Sequence, residues 1–181
     1  MKELITMLFG IAVFPEKHAQ DLANSWRRRY DPHYTTIPAH MTVREKEDWT
    51  EEQLEETVAY LEQATASLSP FTVHFNRVSS FYPSNHVLYL ALEDTTGMQE
   101  LHKHICSGPL TVEAPKHVYT PHLTIGRDMS ADELHDLYGN LRMQAFDITS
   151  KIDRIHLLYQ TDNGSWTAYQ SFLFKGSSAT Q

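Results

Sequence analysis

The stretch Ala39-His40-Met41-Thr42-Val43 returns 82 residues later as Pro121-His122-Leu123-Thr124-Ile125. Each copy reads histidine, apolar residue, threonine, aliphatic residue, and each lies among residues typical of β-strands. Because side chains alternate between the two faces of a strand, the histidine and threonine of each copy share one face, while the apolar pair faces the core. If the two strands meet in an antiparallel or pseudo-twofold arrangement, the repeat predicts a cleft lined by both copies.

The segments around the repeat alternate between strand and helix signals. Thr50 to Gln53 and Ser130 to Glu133 have the capping pattern of helix starts, and Asn163-Gly164 favours a β-hairpin. Apolar periodicity predicts the other elements: a strand within 1–15, helices over 19–30 and 98–105, a hairpin over 71–92, a strand at 122–125, and strands near 152–159 and 166–174. Together they predict one α+β domain over residues 1–175, followed by a flexible tail at 176–181.

The residues of the repeat suit phosphoryl transfer. Breaking a P–O bond requires one proton to be taken from the nucleophile and another to be given to the leaving oxygen. Imidazole titrates near neutral pH, so His40 and His122 can divide these two tasks between them. The hydroxyls of Thr42 and Thr124 can donate to the non-bridging oxygens, where negative charge develops. The sequence therefore predicts catalysis without a metal ion or cofactor.

The composition narrows the possible functions. The chain has 181 residues, enough for one domain with its own core, and a formal net charge of −8 at pH 7. Such a charge disfavours general binding to duplex DNA or acidic membranes, so a phosphate site must be local. The single Cys106 excludes an internal disulfide. The apolar run in residues 1–15 lacks the flanks of a signal peptide and is too short to span a bilayer, so we expect a cytoplasmic protein.

Paired His-x-Thr motifs in a chain of this length resemble the 2H phosphoesterase superfamily. Three further segments resemble its YjcG-like bacterial subfamily: Ser79-Ser80-Phe81, Ile155-His-Leu-Leu-Tyr159 and Asn163-Gly-Ser-Trp166. The resemblance implies a bilobal, pseudo-twofold fold with two antiparallel sheets, outer helices and a cleft between the lobes. It also implies metal-independent chemistry on cyclic phosphates or 2′-5′ linkages, with His40 as proton donor and His122 as proton acceptor. The residues alone do not order the two roles, because exchanging them corresponds to running the reaction in reverse.

Two arginines are candidate substrate ligands. Arg44 and Arg127 each follow a motif strand by one or two residues, so each can reach a phosphate at the mouth of the cleft. The expected partner is a nucleotide or an RNA-terminal phosphate. The alternative function is a non-catalytic binder that holds the same phosphorylated ends. The absence of a nucleophile elbow and of a Gly-rich phosphate loop argues against serine hydrolases and nucleotide-fuelled ligases.

Other polar and aromatic side chains favour structural roles. The arginines between Trp26 and Tyr30 fit a nucleic-acid patch, but they also suit the last turn of a helix, which we prefer. His102 and His104 point apart on a predicted helix, and no carboxylate completes a metal site there. Tyr82 and Tyr119 can stack on a nucleobase, although interior packing is the commoner fate of a tyrosine.

Overall fold

The computed structural model describes residues 5–176, which form eight β-strands, four α-helices and one 3₁₀ turn. The strands are β1 (Thr6–Val13), β2 (Met41–Thr50), β3 (Phe71–Ser80), β4 (Leu88–Leu92), β5 (Leu123–Gly126), β6 (Ile148–Ile152), β7 (Arg154–Gln160) and β8 (Trp166–Leu173). The helices are α1 (Lys17–Tyr30), α2 (Glu51–Ala66), α3 (Thr96–Ile105) and α4 (Ala131–Leu141). Within the described range, no helix is long and apolar enough to cross a membrane. The predicted tail lies outside the described residues except for Gly176.

The strands form two antiparallel sheets of four. The first sheet has the order β2-β1-β7-β8, and the second has the order β5-β4-β3-β6. In each sheet the strand that follows a motif histidine, β2 or β5, lies at the edge. A pseudo-twofold therefore relates the unit β1-α1-β2 to the unit β4-α3-β5. The predicted α+β class with two antiparallel sheets is confirmed.

Helices α1 and α3 each follow a strand of one sheet and pack against the other sheet. Helix α1 follows β1 of the first sheet but packs against β5 and β6 of the second, while α3 follows β4 of the second sheet and packs against β2 of the first. The N-terminal end of α1 is fixed by the backbone N–H of Glu16, which donates to Oγ of Ser150 at 2.8 Å. At its other end, the backbone N–H of Arg127 donates to the carbonyl of Tyr30 at 3.0 Å. Each sheet is thus contacted by a helix that directly follows a strand of the other sheet.

The predicted helix starts and hairpin are confirmed. Thr50 and Gln53 form a reciprocal capping box at α2, in which the Gln53 N–H donates to Oγ1 of Thr50 at 3.2 Å. At α4 the N–H of Glu133 donates to Oγ of Ser130 at 3.1 Å. These side chains satisfy N–H groups that have no partner within the helix. Gly164, in the turn between β7 and β8, has a φ of +87°, a conformation that favours glycine.

Two elements differ from the sequence prediction. Strand β2 continues through the charged run after Arg44 as far as Thr50, because an edge strand tolerates charged, solvent-exposed side chains. The predicted run over 152–159 is two strands, which separate at Asp153 and belong to different sheets. Ile152 and Ile155 are both buried although they are three residues apart. The alternation of buried and exposed side chains therefore shifts by one position where the chain passes from the second sheet to the first.

Candidate active site

Each motif histidine is held by a backbone carbonyl two residues earlier. Nδ1 of His40 lies 2.9 Å from the carbonyl oxygen of Pro38, and Nδ1 of His122 lies 2.8 Å from that of Thr120. Because a carbonyl only accepts hydrogen bonds, the proton of each neutral ring is assigned to Nδ1. Nε2 is then the atom of each ring that can take up or release a proton. The two copies of the motif therefore present their imidazoles in the same way.

The motif threonines lie on the same sheet faces as their histidines. Thr124 pairs across the sheet with Tyr89, whose ring meets His122 edge-on with centroids 5.4 Å apart. Thr42 pairs with Ala12. Ala12 packs in a small apolar cluster with Ile37, the residue before the carbonyl that holds His40. The structure thus brings each hydroxyl to the side of its sheet that carries the imidazole.

Positive charges surround His40. Burial of the ring is the main reason that the pKa of His40 falls from 6.5 to about 4. The hydrogen bond to Pro38 opposes this effect, and the charges of Arg127, Arg27 and His122 lower the pKa further. The effect of His122 on His40 shows that the two motif rings lie within electrostatic range of each other. At neutral pH the ring of His40 is therefore neutral in the free protein.

His122 has a different charge environment. Burial again is the main cause that lowers its pKa, and Arg127 adds to the lowering. The carboxylate of Glu45 acts in the opposite direction and raises the pKa of His122. Glu45 is not among the site residues predicted from the sequence. A signal was available, because Glu45 follows His40 by the same five positions by which Arg127 follows His122.

Arg127 is anchored between the second motif and the end of α1. Its Nη1 donates to Nδ1 of His33 at 3.1 Å, and its Nε lies 3.3 Å from Oδ1 of Asp31. This Nε is buried, and its N–H has no hydrogen-bond partner among the described residues, because the ion-pair geometry with Asp31 is unfavourable for a hydrogen bond. The charge of the Arg127 guanidinium lowers the pKa of both motif histidines. Asp31 and His33, which follow directly after α1, orient this guanidinium.

Arg44 does not join this group. Its Nε donates to the carbonyl of Leu110 at 2.9 Å, and its Nη2 lies 2.8 Å from a carboxylate oxygen of Glu47. The cause is a β-bulge: Ala12 pairs with Thr42, but the preceding residue of β1 pairs with Arg44, so Val43 is the extra residue. The bulge turns Arg44 toward the buried side of the sheet. Its surroundings give no support to the expectation that it binds substrate.

A cavity of about 420 Å³ lies next to the first motif. Its walls include Pro38, which holds His40, and the rings of Phe14 and His156, whose centroids are 4.7 Å apart. Ala12 pairs with His156 on one side and with Thr42 on the other, so all three side chains share one sheet face. Two strand spacings separate Thr42 from His156, or about 10 Å. One wall of the cavity, His156, therefore lies on the sheet face that carries Thr42.

The described residues 5–176 contain no group of three or more His, Cys, Asp or Glu side chains that could hold a metal ion. His102 and His104 bond to backbone carbonyls instead. Nδ1 of His102 lies 2.7 Å from the oxygen of Val43, and Nε2 of His104 lies 2.9 Å from that of Ala64. Both rings thus have a structural partner.

Known proteins of similar sequence carry names that fit this site. A protein of Geobacillus sp. (strain WCH70) is 43% identical over 170 residues, which cover 94% of this chain and 98% of the relative. A protein of Bacillus cereus (strain B4264) is 44% identical over 172 residues, which cover 94% of this chain and 99% of the relative. Both names begin "Putative phosphoesterase".

Solved structures share the fold. Escherichia coli LigT in complex with 3′-AMP superposes with a TM-score of 0.72 at 12% identity, covering 94% of this chain and 99% of LigT. A protein of Thermus thermophilus gives a TM-score of 0.71 at 17% identity, covering 95% of this chain and 100% of that one. The family model of the 2′-5′ RNA ligase superfamily matches residues 14–164, a range that includes both motifs. The chain belongs to this superfamily of 2H phosphoesterases.

Proposed function

We propose that the chain hydrolyses a cyclic phosphate or a 2′-5′ phosphodiester at the end of a nucleotide or RNA, with His40 and His122 as the acid–base pair. One observation carries the proposal: both rings are held at Nδ1 by a carbonyl, and each has a threonine on the same sheet face. The names of the relatives support a phosphoesterase. The LigT structures solved with 3′-AMP and with phosphate support a nucleotide phosphate as the ligand class.

The charges around the rings favour one order of proton transfer. Since His40 is neutral and surrounded by cations, its Nε2 is suited to take a proton from the attacking water. The water oxygen then bonds to phosphorus, and the bond from phosphorus to the ribose oxygen breaks. Nε2 of protonated His122, which Glu45 favours, gives its proton to that oxygen. This order is the reverse of the donor and acceptor roles that the family resemblance implies.

The transition state carries extra negative charge on the non-bridging oxygens. The hydroxyls of Thr42 and Thr124 donate to these oxygens, and the Arg127 guanidinium supplies a fixed positive charge beside them. The bound phosphate raises the pKa of both rings, which offsets the lowering by burial and allows His122 to carry the proton that it donates. The nucleoside part of the substrate extends into the cavity beside Pro38, whose walls include the rings of Phe14 and His156.

A turnover assay tests the function directly. Purified protein is incubated with 2′,3′-cyclic mononucleotides and with 2′-5′-linked dinucleotides, in the presence of a chelator. We expect hydrolysis that the chelator does not reduce, since the proton transfers and charge stabilisation come from side chains. Activity that chelation abolishes and a divalent metal restores would reject the mechanism. Tight binding without turnover would support the alternative of a non-catalytic binder.

A substrate with a good leaving group tests the order of the roles. A p-nitrophenyl phosphodiester expels an oxygen that needs little protonation, so it removes the need for the general acid. We expect His122→Ala to regain most of its lost activity on this substrate, while His40→Ala stays inactive. The opposite pattern would assign His40 as the donor.

A further inference from the structure

Tyr119 joins the two halves of the site. Its phenolic O–H donates to the carbonyl of Thr42 at 2.7 Å, and the carbonyl of the next residue, Thr120, accepts from Nδ1 of His122 at 2.8 Å. A single short segment thus contacts the backbone of the first motif and fixes the ring of the second. We infer that Tyr119 is a positioning residue, which sets the distance between the hydroxyl of Thr42 and the imidazole of His122. The inference rests on the proposed function.

Helix α3 fixes Tyr119 from two sides. The side-chain amide of Gln99 donates to the carbonyl of Tyr119 at 2.9 Å. The ring of Tyr119 stacks on His102, with centroids 3.8 Å apart and planes 5° from parallel. His102 in turn donates from Nδ1 to the carbonyl of Val43 at 2.7 Å. The phenol is therefore pre-oriented, and burial raises its pKa, so it stays protonated and donates.

The first motif strand needs such a contact because of its place in the sheet. Within residues 5–176, strand β2 is an edge strand with a partner strand on one side only. Tyr119 and His102 supply donors to two successive carbonyls, those of Thr42 and Val43, where a neighbouring strand would otherwise supply them. Val43 is also the bulged residue, at which the sheet pairing is interrupted. The position of Thr42 therefore depends on these two side chains.

Comparison of the two pseudo-twofold halves shows which contact of Tyr119 has no counterpart in the first half. Ile37 precedes His40 by three residues, as Tyr119 precedes His122. The carbonyl of Ile37 accepts from Nη2 of Arg27 at 2.7 Å, much as the carbonyl of Tyr119 accepts from Gln99. In both halves, a side chain thus donates a hydrogen bond to the carbonyl of the residue three positions before the motif histidine. Ile37 has no hydroxyl, so the bond across to the other motif is made from the second half alone.

Tyr119→Phe tests the inference by removing only the hydroxyl and leaving the ring stack on His102. We expect kcat on a cyclic mononucleotide to fall about tenfold or more, with KM nearly unchanged, because misplacement of about 1 Å at a reacting centre can cost about a hundredfold. Amide hydrogen exchange at 41–43 and 119–122 should become faster. Tyr60→Phe is the matched control, since the Tyr60 hydroxyl donates to the carbonyl of His104 at 2.8 Å, and this variant should keep kcat.

The outcomes separate this inference from the proposed function. If wild-type protein hydrolyses none of the substrates, the proposed function fails, and hydrogen exchange alone decides whether Tyr119 fixes the two motifs. If Tyr119→Phe matches Tyr60→Phe in kcat or in exchange at the motifs, Tyr119 is not a positioning residue. Gln99→Leu, which releases the Tyr119 carbonyl, is the second variant should Tyr119→Phe fold poorly, and it should lower kcat in the same way.

Discussion

The two halves of the molecule carry the same motif in different surroundings. In both edge strands a bulge follows the motif threonine: Val43 is the extra residue in β2, and Ile125 is the extra residue in β5. The next position faces inward in both halves. It is Arg44 in the first half, whereas in the second it is Gly126, where an added Cβ would lie 2.7 Å from Sδ of Met129.

The two bulges lie at equivalent positions, so the residues that follow them also correspond. The position after each inward-facing residue is occupied by Glu45 in the first half and by Arg127 in the second, so equivalent positions carry opposite charges. Glu45 of the first half raises the pKa of His122 in the second, and Arg127 of the second half lowers the pKa of His40 in the first. The common fold thus brings two similar imidazoles together, and the unequal charges give them different proton affinities.

The aromatic contacts of the two motif histidines also differ between the halves. His122 meets Phe81 edge-on at 4.9 Å between centroids and also contacts Tyr89, and these two aromatic rings stack on each other at 4.5 Å. On the first sheet the position that corresponds to Tyr89 is Ala12, a small side chain. The second half therefore packs its imidazole against aromatic rings, while the first half has no aromatic side chain at the equivalent position.

Removal of either histidine tests whether the unequal halves act as one unit. We expect His40→Ala and His122→Ala each to lose about 10²- to 10⁴-fold in kcat, since each removes one proton transfer. The double variant should be little worse than either single one, because groups that act together fail together. The measurement is steady-state turnover, with thermal melting to verify folding and His135→Ala, an exposed histidine on α4, as the control. Losses that multiply would mean that the two halves contribute independently.

Removal of the hydroxyls compares the halves at their most similar point. Thr42→Val and Thr124→Val keep the side-chain shape and delete one donor, so each should raise the activation barrier by about 2–4 kcal/mol. Thr72→Val, an exposed threonine of β3, is the control and should leave kcat unchanged. A loss in only one of the motif variants would show that a single half supplies the hydrogen bond to the developing charge. Normal kcat in both would leave the threonines with a structural role.

The sequence predicts the parts of this site that depend on local pattern. The repeat of histidine and threonine at alternate positions, and the capping boxes at Thr50 and Ser130, are encoded within a few residues. The inward orientation of Arg44 was not predictable in this way, because the bulge at Val43 shifts the alternation of side chains by one position. Glu45 is marked only by the match between its spacing from His40 and that of Arg127 from His122. A bulge depends on pairing with the neighbouring strand, and no local pattern marks it here.

Long-range contacts account for the rest of what the sequence did not predict. Arg27 lies in the last turn of α1, where the sequence favours an exposed cation near the end of the helix. The structure buries it instead, with Nε 3.0 Å from Oδ2 of Asp31 and Nη2 donating to Ile37. Tyr119 reaches a carbonyl 77 residues away in the chain. Such partners are set by the exchange of helices between the sheets, which no segment of the chain specifies alone.

Neutralising Glu45 has the smallest expected effect and addresses the charge difference most directly. Because its carboxylate favours the protonated form of His122, Glu45→Gln should lower the pKa of His122 and leave that of His40 largely unchanged. NMR titration of the imidazole Cε1–H signals measures both. Glu47→Gln is the control, since Glu47 lies on the same strand but pairs with Arg44. A pKa of His122 that does not move would show that Glu45 does not set the difference between the two rings.

The pH dependence of kcat in Glu45→Gln extends the same test to catalysis. A proton donor loses activity as the pH rises through its pKa, whereas an acceptor loses activity as the pH falls through its pKa. If His122 is the donor, the lower pKa in Glu45→Gln moves the basic limb of the kcat profile to lower pH and leaves the acidic limb in place. If His122 is the acceptor, the acidic limb moves to lower pH instead. The limb that moves therefore identifies which half of the molecule gives the proton and which half takes it.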